Sequence, residues 1–337
     1  SENLPDGHAQ RMKRVSTTRK NTLTRNVSES GVPRSRIIAA FAAIYLIWGS
    51  TYLAIRFAIE TIPPFVLGGI RFLIAGSILL AWTRIRGSER PQAIHWKNTA
   101  IVGAGLILGG NGAVLWAEQF VPSGMTALLV AILPFWMVLL DWLRPNGTRP
   151  SIGVSIGLAV GIIGIVVLVG PSAIHPSAAS NTAASSGNGV ALKGALALMG
   201  GSLAWALGSI YSKHATLPKS ALLATAMEMF TGGAMLLALA FITGETKHFD
   251  PAGVSARSMA GFIYLTTIGS LVGFTAYIWR LTVQPPSRVS TYAYVNPVVA
   301  VFLGWALAGE ALSLRSAIAA AIIVGAVALI TTARSSR

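Results

Sequence analysis

IYLIWGSTYLAIRFAI, residues 44–59, is an apolar run that carries Trp48, Gly49, Ser50, Tyr52 and Arg56. Such polar groups are ordinary in a soluble core and costly in hydrocarbon, so the fold depends on which solvent surrounds this stretch. The rest of the chain answers. Of 337 residues, 53% are hydrophobic and 11% charged, against roughly 25% charged in an average soluble protein. So few charges cannot cover a soluble surface of this size. From residue 37 onward the sequence is a series of apolar runs, near 37–59, 64–83, 98–117, 122–142, 151–170, 190–212, 220–243, 256–279, 288–308 and 315–333. Each is close to the roughly 20 residues that an α-helix needs to cross a bilayer core. The expectation is an all-α integral membrane protein with ten transmembrane helices.

The net charge of +15 would suggest nucleic acid in a soluble protein, but here its distribution matters more than its sum. Eight Lys and Arg lie in residues 1–36 and two in the C-terminal tail. The even-numbered connections add Arg84, Arg86, Arg90, Lys97, Arg144, Arg149, Lys213, Lys219, Arg280 and Arg288, whereas the odd-numbered ones hold only Lys193, Lys247, Arg257 and Arg315. The positive-inside rule then places both termini in the cytoplasm of a multi-pass inner-membrane protein. Residues 1–36, polar and basic with no short apolar leader segment, are expected to form a disordered cytoplasmic tail. Residues 171–189, PSAIHPSAASNTAASSGNG, form an uncharged linker expected outside. There is no cysteine, which removes disulfides and thiolate metal sites.

The linker divides the runs five and five, and the halves share landmarks. Gly49-Ser50-Thr51-Tyr52 matches Gly208-Ser209-Ile210-Tyr211, each with a tryptophan upstream, Trp48 and Trp205. Pro122-Ser123 and Pro134 on the fourth run match Pro286-Ser287 and Pro297 on the ninth. Three matches in the same order indicate a duplication, residues 37–170 and 190–333. Five spans begin and end on opposite sides, so the second copy enters inverted, the plan of secondary transporters with a substrate path between repeats.

WGSTYLAIRFAI (48–59), GIRFLIAG (69–76), VPSGMTALLVAILP (121–134) and YAYVNPVVAVFLGWALAGEALS (292–313) together resemble the EamA branch of the drug/metabolite transporter superfamily, and within it the YedA-like exporters. The resemblance covers about residues 37–333. It implies two five-helix repeats around a central cavity and efflux of small metabolites, amino acids, related compounds or drugs, without identifying the cargo.

Trp48, Tyr52 and Arg56 share one face of the first helix, and Trp48 is too deep for an interfacial belt. Arg71 must face the bundle interior, where it either attracts a substrate carboxylate or clamps neighbouring helices. The expected substrate-binding set is Trp48, Ser50, Tyr52, Arg71, Asn111, Trp205, Ser209, Tyr277, Tyr294 and Asn296. Glu228, well inside the seventh run, is the candidate proton carrier. Glu118 stands at a span boundary, where exposure is expected. The stripes Gly105, Gly109, Gly112 and Gly157, Gly161, Gly164 suit close helix packing. An enzyme, metal protein or channel would need a constellation that is missing: no H-E-x-x-H, no phosphate loop, no filter. No cofactor is implied, and partners are a small-molecule substrate and membrane lipid. A flippase for a lipid or lipid-linked intermediate is the alternative to an exporter.

Overall fold

The structure, a computed structural model, describes residues 34–143, 149–169, 192–276 and 292–335. Side chains are described at these positions except 34–42, 292–294, 331 and 333–335. The tail before residue 34, the 171–189 linker, Tyr277 and the Tyr294 side chain therefore lie outside the described residues. Two units are distinguished, residues 1–41 and residues 42–337; all packing discussed below belongs to the second.

The described secondary structure is helical: α1 Arg34–Ala58, α2 Pro64–Ile85, α3 Ala93–Ala117, α4 Ser123–Leu143, α5 Ile152–Val169, α6 Leu192–Ser212, α7 Ala221–Ile242, α8 Ala256–Ala276, α9 Tyr292–Ala308 and α10 Leu314–Ser335. The seven from α2 to α8 are long and apolar enough to cross a membrane. The others contribute shorter apolar helices, Ala43–Ala58, Val295–Ala308 and Leu314–Ile330. On α5 the large exposed side chains are Ile152, Ile156, Ile162, Ile163 and Val166. An outer face of branched alkyl groups is solvated by lipid, not water.

Local chemistry sets the helix starts. Pro64 opens α2, where a missing N–H costs nothing. Ser220 caps α7 by accepting from the Leu223 N–H at 3.3 Å, and Ser255 caps α8 by accepting from the Ser258 N–H at 3.1 Å. Distant glutamates add to the starts of α2 and α7. Glu245, just after α7, accepts from the Phe65 and Val66 N–H groups of α2 at 2.8 and 3.2 Å. Glu89, just after α2, accepts from the Lys219 N–H before α7. Each of these two helices is thus capped from the end of the other.

The principal pairings join a helix before the linker to one after it. α2 packs on α7, α5 on α10, α3 on α6 and α4 on α9. α1 meets α8, with the Ser258 hydroxyl donating to the Phe57 carbonyl at 2.9 Å. Small residues permit the contacts: a Cβ at Gly76 would lie 2.6 Å from the Phe230 nitrogen, and one at Gly105 would lie 2.8 Å from the Ala204 carbonyl oxygen. Gly157 and Gly164 seat Ile330 and Ile323 of α10 in the same way.

Three helices depart from regular α geometry along their length, and a fourth carries an internal proline. Residues Ala104–Asn111 of α3 and Leu265–Val272 of α8 are π-helical, eight residues each. α4 breaks between Val130 and Leu133, because Pro134 lacks an N–H and its ring excludes the carbonyl four residues earlier. α9 carries Pro297 within it. Backbone irregularity at membrane depth is tolerated only where it is buried in protein or lines a cavity.

Candidate functional site

The three irregular segments and the residue before Pro297 border one cavity of about 130 Å³. Gly110 and Asn111 come from the π segment of α3, Gly269 from that of α8, Val130 and Leu133 from either side of the α4 break, and Asn296 from beside Pro297. α1 adds Trp48, Thr51, Tyr52 and Ile55, while α6 adds Leu198, Gly201, Ser202 and Trp205. Arg71 of α2 and Phe274 of α8 complete the lining that bears on the chemistry.

Each tryptophan rests on a glycine of a helix that contains a π segment. A Cβ at Gly110 would sit 2.6 Å from the Trp205 ring, and one at Gly273 would sit 2.7 Å from Trp48 Nε1. Any larger residue there would push the indole out of place. Trp48 also packs edge-on against Phe274, ring centres 5.5 Å apart.

Arg71 is 3% exposed. Its Nε donates to the Ser270 hydroxyl at 3.0 Å, and the guanidinium lies 4.6 Å from the Phe72 ring centre. Among the described residues no carboxylate pairs with it. Asn111 Nδ2 donates to the Leu106 carbonyl at 3.1 Å, five residues back, and so serves a carbonyl within the π segment. Asn296 Oδ1 and Ser202 Oγ are buried without a hydrogen-bond partner among the described residues. The cavity thus presents one cation, a free acceptor and a free hydroxyl between two indoles.

Of the expected set, Trp48, Tyr52, Arg71, Asn111, Trp205 and Asn296 line this space. Ser50 does not: its hydroxyl shares a 2.6 Å hydrogen bond with the Tyr264 hydroxyl and holds α1 to α8. Ser209 is also absent from the lining, one turn past Trp205. Glu228 is half-buried on α7 and is not among the residues that line the cavity. It is the eighth residue of α7, as Arg71 is of α2, so the paired helices carry opposite charges at matched positions. Glu118, expected to be exposed, is instead 0% exposed. Ser202 escaped the sequence reading although Leu198, Gly201, Ser202 and Trp205 have the spacing of a single helix face.

The model of the EamA-like transporter family matches residues 35–170 and again residues 192–332. The chain belongs to the EamA-like transporter family. Over 299 residues it is 38% identical to the uncharacterized inner membrane transporter YedA of Escherichia coli K12, covering 88% of this chain and 90% of YedA. It is 24% identical to the uncharacterized transporter YoaV of Bacillus subtilis, over 86% and 93% of the two chains. Protein PecM of Dickeya dadantii is 27% identical over 79% and 82%. A solved crystal structure, 22% identical, matches with a TM-score of 0.56 over 89% of this chain and 98% of that one; at that identity the likeness concerns fold alone. As an EamA protein the chain is a multi-pass membrane transporter, and family and relatives alike indicate transport and not enzymatic chemistry.

Proposed function

We propose that this EamA protein exports a small amphipathic metabolite, an amino acid or related compound, across the bacterial inner membrane by alternating access between two inverted five-helix repeats. The observation that carries the cargo class is Arg71, a buried cation in the cavity with no carboxylate partner among the described residues. A ligand carboxylate supplies the missing charge. The unpartnered Asn296 Oδ1 accepts from the ligand's ammonium group, and the indoles of Trp48 and Trp205 cover its apolar part and its cation. The repeat is supported by the two family matches, the paired π segments and the reciprocal glutamate caps. Export rests on the family resemblance, the cytoplasmic placement of both termini on the charge distribution, and proton exchange as the energy source on an acid within a span, Glu228 of α7.

The test is flux in liposomes. Purified protein should carry radiolabelled amino acids down a gradient, and Arg71→Gln should abolish the flux while the protein remains folded. The flippase reading draws on an apolar groove between α2, α3 and α7, lined by Phe65, Leu108, Trp116, Met235 and Leu239. Scrambling of a fluorescent lipid without amino-acid flux would establish that reading instead.

A further inference from the structure

The cavity's lining faces continue toward one end of the bundle and meet there at a carboxyl group. On α3, Asn111 and Val114 line the cavity, and Glu118 follows on the same face. On α1, Tyr52 lines the cavity and Arg56 follows one turn on. Glu118 is 0% exposed, and neither carboxyl oxygen has a hydrogen-bond partner among the described residues.

Its surroundings are specific. Arg56 Nη1 donates at 2.8 Å to the Glu118 backbone carbonyl, not to its carboxyl group, and Arg56 is itself exposed. Tyr52 of α1 and Glu310 from the α9–α10 connection interact electrostatically with Glu118, and Glu310 disfavours its charged form while Arg56 favours it. Glu310 is already engaged, accepting from the Ser123 and Gly124 N–H groups at 2.7 and 3.1 Å. Lys193 of α6 lies 3.4 Å from the Phe120 ring centre, which occupies that ammonium with an aromatic face. An ionised Glu118 would therefore be a buried carboxylate without a donor beside a second carboxylate, an arrangement that costs several kcal/mol.

We propose that Glu118 is the reversible proton-binding group of the transport cycle. This rests on the transporter reading above and moves the coupling role from Glu228 to Glu118. With this end of the bundle closed, the carboxyl oxygen holds the proton. Opening this end admits water and frees the Arg56 guanidinium to pair with the carboxylate, which takes up a proton from that solvent and lets the end close. When the opposite end opens, the proton leaves by way of the cavity that Tyr52 and Val114 line, so each cycle carries one proton across the membrane.

Infrared difference spectroscopy on the purified protein, taken between low and high pH, tests the site without any substrate. The expected result is a protonated-carboxyl band that disappears as pH rises, is missing in Glu118→Gln and persists in Glu228→Gln. A band that survives in Glu118→Gln, or a Glu118 band that never titrates, overturns the proposal. If the Gln variant does not fold, Glu118→Asp must shift the band, and an unshifted band overturns the proposal equally. In liposomes, Glu118→Gln should keep amino-acid exchange at equal pH and lose about tenfold or more of pH-gradient-driven accumulation. Retained gradient-driven accumulation refutes the coupling role. Absence of all flux in the wild type refutes the transporter reading, and the infrared titration still decides the proton site.

Discussion

Two side chains close in sequence pattern have opposite assignments, and mutation should separate them. Arg71→Gln leaves a neutral group of similar size in the cavity, so affinity for a carboxylate ligand should fall by about 2–3 kcal/mol, roughly 30- to 150-fold in Kd, in a calorimetric titration. Ser50→Ala removes a hydrogen bond to Tyr264 outside the cavity. It should cost about 1 kcal/mol of stability, seen as a lower melting temperature, and leave flux unchanged. Trp48 and Tyr52 were legible because a large aromatic residue so deep in a span has few uses other than lining a cavity. Ser50 was not separable from them, since a hydroxyl that holds two helices and one that meets a ligand occupy the same sequence pattern. Glu118 escaped for a different reason. A carboxylate at a span boundary normally reaches water, and its burial here goes with groups far away in the chain, Glu310 acting on it electrostatically and Gly194 at the start of α6 packing against the neighbouring Ala117 and Val121.

The helices themselves were readable, and their irregularities only in part. Hydropathy and proline positions locate most helix ends to within a few residues. α3 begins earlier than expected, at Ala93 and not at 98, because its first turns are held by tertiary contacts: Asn98 Nδ2 donates to the Thr216 carbonyl at 2.9 Å. Pro134 announced the interruption of α4, whereas Pro297 sits within a continuous α9. Nothing in the sequence announced the π segments, whose wider turns are secured by contacts such as Asn111 with Leu106 and by the indoles seated on Gly110 and Gly273. Two predictions follow at this scale. Pro134→Ala restores an N–H and lets α4 run straight; it should raise the melting temperature and slow flux, because a straight α4 reshapes the cavity wall. Gly76→Val forces a side chain to 2.6 Å from the Phe230 backbone, and should lower stability by about 3 kcal/mol or more in a denaturation assay of the detergent-solubilised protein.

For the molecule as a whole, the native absence of cysteine makes topology directly measurable. His214, after α6, and His248, after α7, are both exposed and lie at opposite ends of α7. An impermeant thiol reagent on intact cells should label His248→Cys, and should label His214→Cys only after lysis; the reverse pattern would invert the assigned orientation. The cross-linker pairing has a further consequence, for synthesis. α2 is complete at residue 85, and its partner α7 only at residue 242. At about 5–20 residues per second, α2 waits roughly 8–30 s in the bilayer with its glycine face against lipid. The first half therefore emerges from the insertion machinery as a set of helices without their mates, and α10, made after α1 to α9, is the one that closes the packing around α5. Ribosome pausing or truncation before residue 314 should leave a membrane-inserted, unassembled chain, a substrate for quality-control proteases and not a half-strength transporter.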